Sequence, residues 1–362
     1  MNLKKVKSRM RHRKIVILMI MSLCLLGCQS IKNTPKTETI RYTENQKSRL
    51  ATVIFQEFAS KNGLLSTNLT NRKNEYLAES MGLLMLYFIQ TNDKTNYMKS
   101  FQAVKQSLIL PNHLISWEIK EGKRSDTNAL IDDLRLIKAL DLGARKWGNK
   151  EVKQLLSKTI DANKAYTMYE DYFVDFGSEQ SENRAKEITL SYAAPSYYKR
   201  MQLTPEILEK NVEVIRNAPQ DANGLYAKKF DIQTKTYQFD DTVHMIDQLL
   251  TARNVQEIKS TSKFHQLLKE KMKKDGKLYG QYNRKTLQPV VRYESPAVYS
   301  YAIFYSQAVK DKTLEKAINK RMNQLKNHHK NTQYYGSYIA KNGETHIFDN
   351  LLPLLTKGRW VR

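Results

Sequence analysis

One stretch of this chain tolerates only one kind of setting. From Met81 to Ile89 the sequence reads MGLLMLYFI. A helix over 75–90 would be apolar nearly all round beyond Glu79. Such a helix has no face to give to water and belongs in the middle of a domain, with other elements on every side. Candidates for those elements follow from helical spacing. The segment 46–59 places Leu50, Val53, Ile54 and Phe58 on one face, and 94–108 does the same with Tyr97, Phe101, Val104 and Leu108. Asp126-Thr127-Asn128 reads as the N-cap run of a helix through Leu130, Leu134, Ile137, Leu140 and Ala144, with Gly148 to stop it. Another helix is expected over 151–167. Thr204-Pro205-Glu206 supplies a cap and a proline at the first helical position of the next. Further helices are expected over 242–251, 262–274, 296–309, 312–327 and 348–355. Only short pieces, 235–239 and 277–282, look strand-like. With 13 Gly and 8 Pro in 362 residues, little interrupts this pattern. The expected class is all-α, about twelve helices in one domain that stack as a solenoid or close as a double ring.

The first 27 residues stand apart. Seven Lys and Arg lie between Lys4 and Lys14, and twelve mostly apolar residues follow over 15–26. That run falls short of the ~20 residues a spanning helix needs, and a basic stretch before a short apolar one is an export signal. It ends in Leu25-Leu26-Gly27-Cys28, which resembles the lipobox of bacterial lipoproteins, with Cys28 as the lipidated residue. An ordinary signal peptide or an uncleaved anchor is the alternative. Residues 28–40 are polar and aperiodic and read as a flexible tether; 41–362 reads as one catalytic domain. The expected location is the outer face of the cell membrane.

Both cysteines, Cys24 and Cys28, belong to the export segment. The body therefore has no disulfide framework, cysteine nucleophile or cysteine metal site. Seven of the sixty basic residues and none of the thirty-six acidic ones precede Cys28, leaving a net charge of +17. For a chain outside the cell, anionic lipid or wall polymer is a nearer partner than nucleic acid, and a merely solvated basic surface is the alternative.

There is no G-x-S-x-G, no phosphate-binding glycine loop and no H-E-x-x-H. No metal and no cofactor are expected. What remains is carboxylates among aromatics, the materials of glycosidic cleavage. Glu79 stands where the polar start of its helix meets the apolar run, a place where burial raises a carboxyl group's pKa. A helix-start Glu facing solvent is the alternative.

Five segments together resemble glycoside hydrolase family 8. Leu77-Ala78-Glu79-Ser80-Met81-Gly82-Leu83-Leu84-Met85-Leu86 is similar to the family's S-E-G-x-x-Y-G-M-L segment, and Leu114-Ile115-Ser116-Trp117 to its Gly-Leu-x-x-Trp element. Residues 128–140, NALIDDLRLIKAL, resemble its acidic helix. Ser191-Tyr192-Ala193-Ala194-Pro195-Ser196-Tyr197-Tyr198 resembles S-Y-x-A-P-x-Y-Y, the most specific of the five. Tyr237-Gln238-Phe239-Asp240-Asp241 falls where the family has Y-D-A-x-R. The resemblance is nearest to the members found in bacterial exopolysaccharide operons. It implies an (α/α)6 barrel and an inverting hydrolase of β-1,4-linked glycans, working as a monomer on a polysaccharide. In that scheme Glu79 is the general acid and Asp240 the general base, with Asp241 competing. Asp133, or its neighbour Asp132, contacts the distorted sugar. Trp117, Tyr192, Tyr197 and Tyr198 contact substrate. Apart from that scheme, His244 is either a further substrate contact or a structural histidine.

The chain departs from the family at several points. Ser80 replaces a Gly, Leu83-Leu84 a Tyr-Gly, and Leu130-Ile131 a Thr-Asp. No Arg follows Asp240 at the family's spacing, so Asp247 is an alternative base. Glu294 is either a ligand or a structural cap. A glycan-binding protein that has lost its chemistry is the competing expectation.

Overall fold

Apolar periodicity sorts the helices into two kinds, and the computed structural model places the two kinds in two rings. It describes residues 39–43, 48–180 and 183–358; Cys28 and the rest of the export segment lie outside the described residues. In chain order the helices are α1 (Arg49–Glu57), α2 (Ala78–Gln90), α3 (Lys94–Ser107), α4 (Leu130–Trp147), α5 (Lys150–Tyr166), α6 (Pro195–Tyr198), α7 (Pro205–Arg216), α8 (Met245–Gln256), α9 (Ser262–Asp275), α10 (Pro296–Ala308), α11 (Lys312–Gln324) and α12 (Phe348–Leu355).

The even-numbered helices form the inner ring. α2 is buried from Ser80 to Ile89, and α10 from Pro296 to Ser306. α2 packs on α4, α4 on α6, α8 on α10 and α10 on α12; α12 then returns to α2 and closes the circle. The odd-numbered helices lie outside, each with one apolar stripe turned inward, as α9 shows with Phe264, Leu267 and Leu268. This is the (α/α)6 barrel. The all-apolar 81–89 run is explained: α2 meets helices on both flanks of its own ring and α3 behind it.

Among the described residues, short strands lie in five of the connections from an outer helix to the next inner one. β1 (Glu75–Leu77), β2 (Glu118–Lys120) and β3 (Lys123–Arg124) form one small sheet, with Tyr76 opposite Ile119. β4 (Met168–Tyr169) and β5 (Tyr172–Phe173) form a tight hairpin. β6 (Glu187–Thr189), β7 (Lys229–Asp231) and β8 (Thr236–Gln238) make a second sheet, and β9 (Thr242–His244) pairs with β10 (Gln281–Asn283). The inner helices run side by side in one direction. Gly82 of α2 lies against Arg135 and Leu136 of α4, and Tyr301 of α10 reaches the same arginine. Their N-terminal turns therefore gather at one end of the barrel.

The expected cap of α4 needs correcting. The run 126–128 does not cap α4. Ala129 holds the N-cap position with no side-chain bond, and Asn128 is used elsewhere. Residues 195–198 form a single helical turn, too short for any periodicity to reveal.

Candidate active site

The chain enters α2 through β1, which holds Leu77 extended, so the helix begins abruptly at Ala78. The Ala78 amide donates to the Trp117 carbonyl at 3.0 Å, which sets the half-exposed Trp117 beside the helix start. Glu79 is thus fixed in the first turn, with 23 % of its side chain exposed. α4 starts at the same level because its Leu130 amide donates to the Asp175 carbonyl at 2.8 Å. Its first turn carries Asp132 and Asp133. One turn deeper, Arg135 is only 2 % exposed. Its guanidinium donates to Glu79, to Asp132 at 3.3 Å and to the Tyr301 hydroxyl at 2.9 Å. Two carboxylates from two helices therefore share one buried cation.

Across from them, α8 begins when the Met245 amide bonds the Gly280 carbonyl at 2.9 Å. Asp247 lies in that first turn and accepts from the Ser191 hydroxyl at 2.8 Å. Asp175 accepts from the Thr189 amide and hydroxyl, both at 2.6 Å. Between the two sides stands Tyr192. Burial holds its hydroxyl proton firmly, and Asp132, Asp175, Asp247 and Glu79 all add to that effect. Four carboxylates from four segments thus converge on one half-buried tyrosine.

Their titration follows their surroundings. Burial, then the Glu79 charge, raises Asp132 well above the usual carboxylate range, with Arg135 opposing. Burial pushes Asp175 up to about 6 against its two Thr189 bonds. Asp247 is raised by burial, while the Ser191 bond, His244 and Lys228 restrain it. A cluster of carboxyls whose burial raises several of them, open on one side, is suited to proton transfer.

The structure distributes the other expected residues differently. Asp133 is 0 % exposed and faces away; its Oδ2 accepts from Asn128 at 2.9 Å and Asn163 at 2.8 Å. Asp132 is the member of the pair at the cleft. Asp240 is near enough to Asp247 to raise it, but its own Oδ1 is taken by Arg284 at 2.5 Å. Arg284 also holds Asp221 at 2.8 Å and the Tyr226 carbonyl at 3.0 Å. The arginine missing from the local sequence thus comes from a distant loop, and it clamps Asp240 into the wall. Asp241 is exposed. His244 is exposed at the N-cap of α8, where its imidazole faces Asp247. Tyr197 lines the buried interior near Arg135, with the Lys138 ammonium 5.1 Å from its ring centroid. Tyr198 is 1 % exposed and stacked on Phe173, with centroids 5.1 Å apart; it is a core residue with no face for a sugar. Glu294 is a structural ligand, gripped by Arg321 at 2.6 and 2.8 Å and bonded by the Tyr299 hydroxyl.

Sequence reasoning passed over Arg135 and Asp175. Arg135 had a signal: a cation in the middle of an otherwise buried helix needs a buried anion. Asp175 had none, since its place depends on contacts with α4 and β6.

Known proteins agree with this architecture. The chain superposes on an α-amylase from Clostridium perfringens with a TM-score of 0.78 and 25 % identity, covering 88 % of this chain and 100 % of that one. For PssZ from Listeria monocytogenes the values are 0.74 and 24 %, covering 88 % and 97 %. A family 8 enzyme of Teredinibacter turnerae, solved with xylobiose, gives 0.60 and 14 %, covering 83 % and 85 %. No protein-family model matches the chain. The barrel and its ring of helix starts define a fold of the glycoside hydrolase kind, shared with family 8 enzymes. At the level of sequence, the chain is 35 % identical to the Bacillus subtilis (strain 168) protein named "Putative lipoprotein YdaJ", over 96 % of this chain and 97 % of that one. It belongs to the family of that protein.

Proposed function

We propose that this protein is an inverting glycoside hydrolase, held by a lipid on Cys28 at the outer face of the membrane, that cleaves an exopolysaccharide of its own cell. The observation that carries the reading is the convergence of Glu79, Asp132, Asp175 and Asp247 on Tyr192. Inversion needs an acid on one side of the scissile bond and a base on the other, with room for a water between them. Glu79, the most accessible carboxyl on the α2–α4 side, protonates the leaving oxygen. Arg135 and Asp132 fix its position. Asp247, which has no arginine on it, activates the water from the α8 side. Asp240 is the weaker candidate, because its Oδ1 is already held in the wall by Arg284. Trp117 offers a half-exposed ring on which a sugar can stack. The location reading draws on the relative named a lipoprotein and on Leu25-Leu26-Gly27-Cys28.

Two linkages have support. The five sequence segments favour a β-1,4 bond. The greater likeness to an α-amylase than to the enzyme solved with xylobiose favours an α bond.

The test is reducing-end release from α- and β-linked glucans, xylan and purified exopolysaccharide, with the anomer of the fresh product read by NMR. Glu79→Gln and Asp247→Asn should each lose at least about a thousandfold in kcat, and Asp240→Asn should keep most of its activity. A retained anomer, or an active Asp247→Asn beside an inactive Asp240→Asn, overturns the assignment. If no substrate is cut while glycan still binds, the protein is a binding module.

A further inference from the structure

Among the described residues, four large hydrophobic side chains are exposed: Phe176, Phe239, Val290 and Tyr293. All four lie in connections from an outer helix to the next inner one, at the end of the barrel where the carboxylates converge. Apolar area left in water costs free energy, and its gathering at one end of a molecule marks a place where a partner lies. Two of the four are flat rings that border the start of α8, each with one face already backed.

Tyr293, 55 % exposed, comes from the connection between α9 and α10. Its carbonyl accepts from the Gly280 amide at 3.3 Å, and its ring lies on Gly280 itself. A Cβ there would stand 2.5 Å from a ring carbon and 2.9 Å from the hydroxyl oxygen, so only glycine lets the ring come so close to the backbone. The Gly280 carbonyl in turn receives the Met245 amide that starts α8, two residues before Asp247. Phe239, 46 % exposed, comes from the connection between α7 and α8, next to Asp240. The Arg284 guanidinium stands 4.9 Å from its ring centroid, and that arginine is fixed by Asp221, Asp240 and the Tyr226 carbonyl. Each ring thus rests on a firm support and turns its remaining area to solvent. Rings held in this way need little ordering when a ligand arrives, which spares binding free energy. Gln238, His244 and Arg292 are exposed in the same segments and can bond hydroxyls.

We propose that Phe239 and Tyr293 are distal sugar-stacking subsites, which hold a polysaccharide chain that runs across the mouth of the barrel from Trp117. These subsites presuppose the glycan reading of the carboxylate site and add to it the reach of the substrate. A pyranose ring has flat faces of C–H bonds and hydroxyls around its edge, which matches separate aromatic faces set among polar side chains. A lipid tail or an apolar helix would need one continuous apolar groove. α8 stands three places from α2 in the ring of six, so Trp117 and the two rings lie on opposite sides of the mouth, about 20 Å apart for helices ~10 Å across. One sugar cannot span that distance. A long oligomer reaches Trp117, the carboxylates and the far rings together, whereas a disaccharide reaches only part of the path.

The test reads binding by calorimetry on the full chain in detergent carrying Glu79→Gln, so that bound oligomers are not cut. The probes are malto-, cello- and xylo-oligosaccharides of two and six units, with size-sorted fragments of the purified exopolysaccharide. In at least one series the long member should bind at least about tenfold tighter than the short one. Tyr293→Leu and Phe239→Leu keep an apolar side chain and lose the flat face. Each should weaken binding of that long member about fivefold or more, with the melting temperature unchanged. Tyr293→Trp and Phe239→Tyr should bind as the wild-type rings do. Val290→Ala, which alters an equally exposed side chain that has no ring, should change nothing. Long members bound no tighter than short ones in every series, full affinity in the Leu variants, or an equal loss in Val290→Ala would overturn the proposal. The hydrolase reading is tested separately by reducing-end release. Ring-dependent binding of long oligomers with no cleavage by wild type would keep the subsites and remove the hydrolase.

Discussion

Arg135 is the residue on which the candidate site depends. It is buried, it joins Glu79 of α2 to Asp132 of α4, and Tyr301 of α10 steadies it at 2.9 Å. Removing one partner of such a pair costs far more than the pair itself contributes, because charges are left buried without compensation. Arg135→Met should therefore destabilise by about 3–5 kcal/mol, and the loss should depend on pH. Burial and the Glu79 charge already raise Asp132, and Arg135 opposes them; without the arginine the folded-state pKa rises further. The unfolded chain releases that proton near pH 4, so between pH 4 and the raised value the folded state binds more protons, and its stability falls as pH rises. Urea unfolding at pH 5 and pH 8 should show the variant weaker at pH 8, with a smaller difference in wild type. An equal loss at both pH values would mean that Arg135 acts through packing alone. The sequence showed Glu79 and the Asp132–Asp133 pair as residues of interest. It did not show which aspartate faces the cleft: adjacent residues on a helix point about 100° apart, and the choice belongs to Asn128 and Asn163, which draw Asp133 inward.

At the scale of elements, the site is built by loops that hold helix starts in place, and two glycine-type positions show how tightly. A Cβ on Gly177 would lie 2.0 Å from the Tyr166 carbonyl oxygen, which is backbone and cannot swing away. Gly177 exchanges bonds with Asn128, its amide donating to Oδ1 at 2.7 Å and its carbonyl accepting at 3.2 Å. Gly177→Ala should push this loop off α4, displace Asp175 and Asp132 together, and cost more than about 2 kcal/mol. Calorimetry would show that loss, and an unchanged melting temperature would refute the argument. Elsewhere one turn recurs. Gly63, His113 and Gly224 each sit two residues before a bridge that closes the turn, Ala59 to Leu65, Ile109 to Ile115 and Gln220 to Tyr226. All three are left-handed, at φ of 80°, 67° and 83°. His113 alone carries a side chain there, at a cost of about 1 kcal/mol. His113→Gly should be neutral to stabilising by up to about 1 kcal/mol, and Gly224→Ala destabilising, since its Cβ would also press on the Lys263 backbone at 3.2 Å. The long helices were legible from their apolar stripes to within a few residues. The recurring turn does carry a repeated sequence, Asn62-Gly63-Leu64, Asn112-His113-Leu114 and Asn223-Gly224-Leu225, but its uneven spacing hides it from a search for a fixed period, and the single turn of α6 is too short to carry a period.

For the whole molecule, the all-apolar run of α2 was the most informative sign, because only a helix enclosed on every side can be built that way. It left a double ring as one of two possibilities, and the contact of α12 with α2 decides between them. That contact joins residues some 270 positions apart, which no local pattern can show. The ring also sets what the tether can do. The chain joins the barrel at Ile40, whose side chain packs on Gly63 and Ala103, in the loop that leads on to β1 and Glu79. A lipid on Cys28 would thus hold the end of the barrel that carries the carboxylates within ~40 Å of the membrane, where a polymer leaving the cell is still fresh. Attachment then matters to function only if the substrate is made at that membrane. Cys28→Ala should appear in the medium, lose membrane association on fractionation, and keep its kcat on purified polymer. In cells it should leave exopolysaccharide chains longer than those of wild type, measured by size-exclusion chromatography of polymer from equal cultures. If the shed variant trims polymer to the wild-type length, attachment is only an address, and the link between anchor and substrate fails.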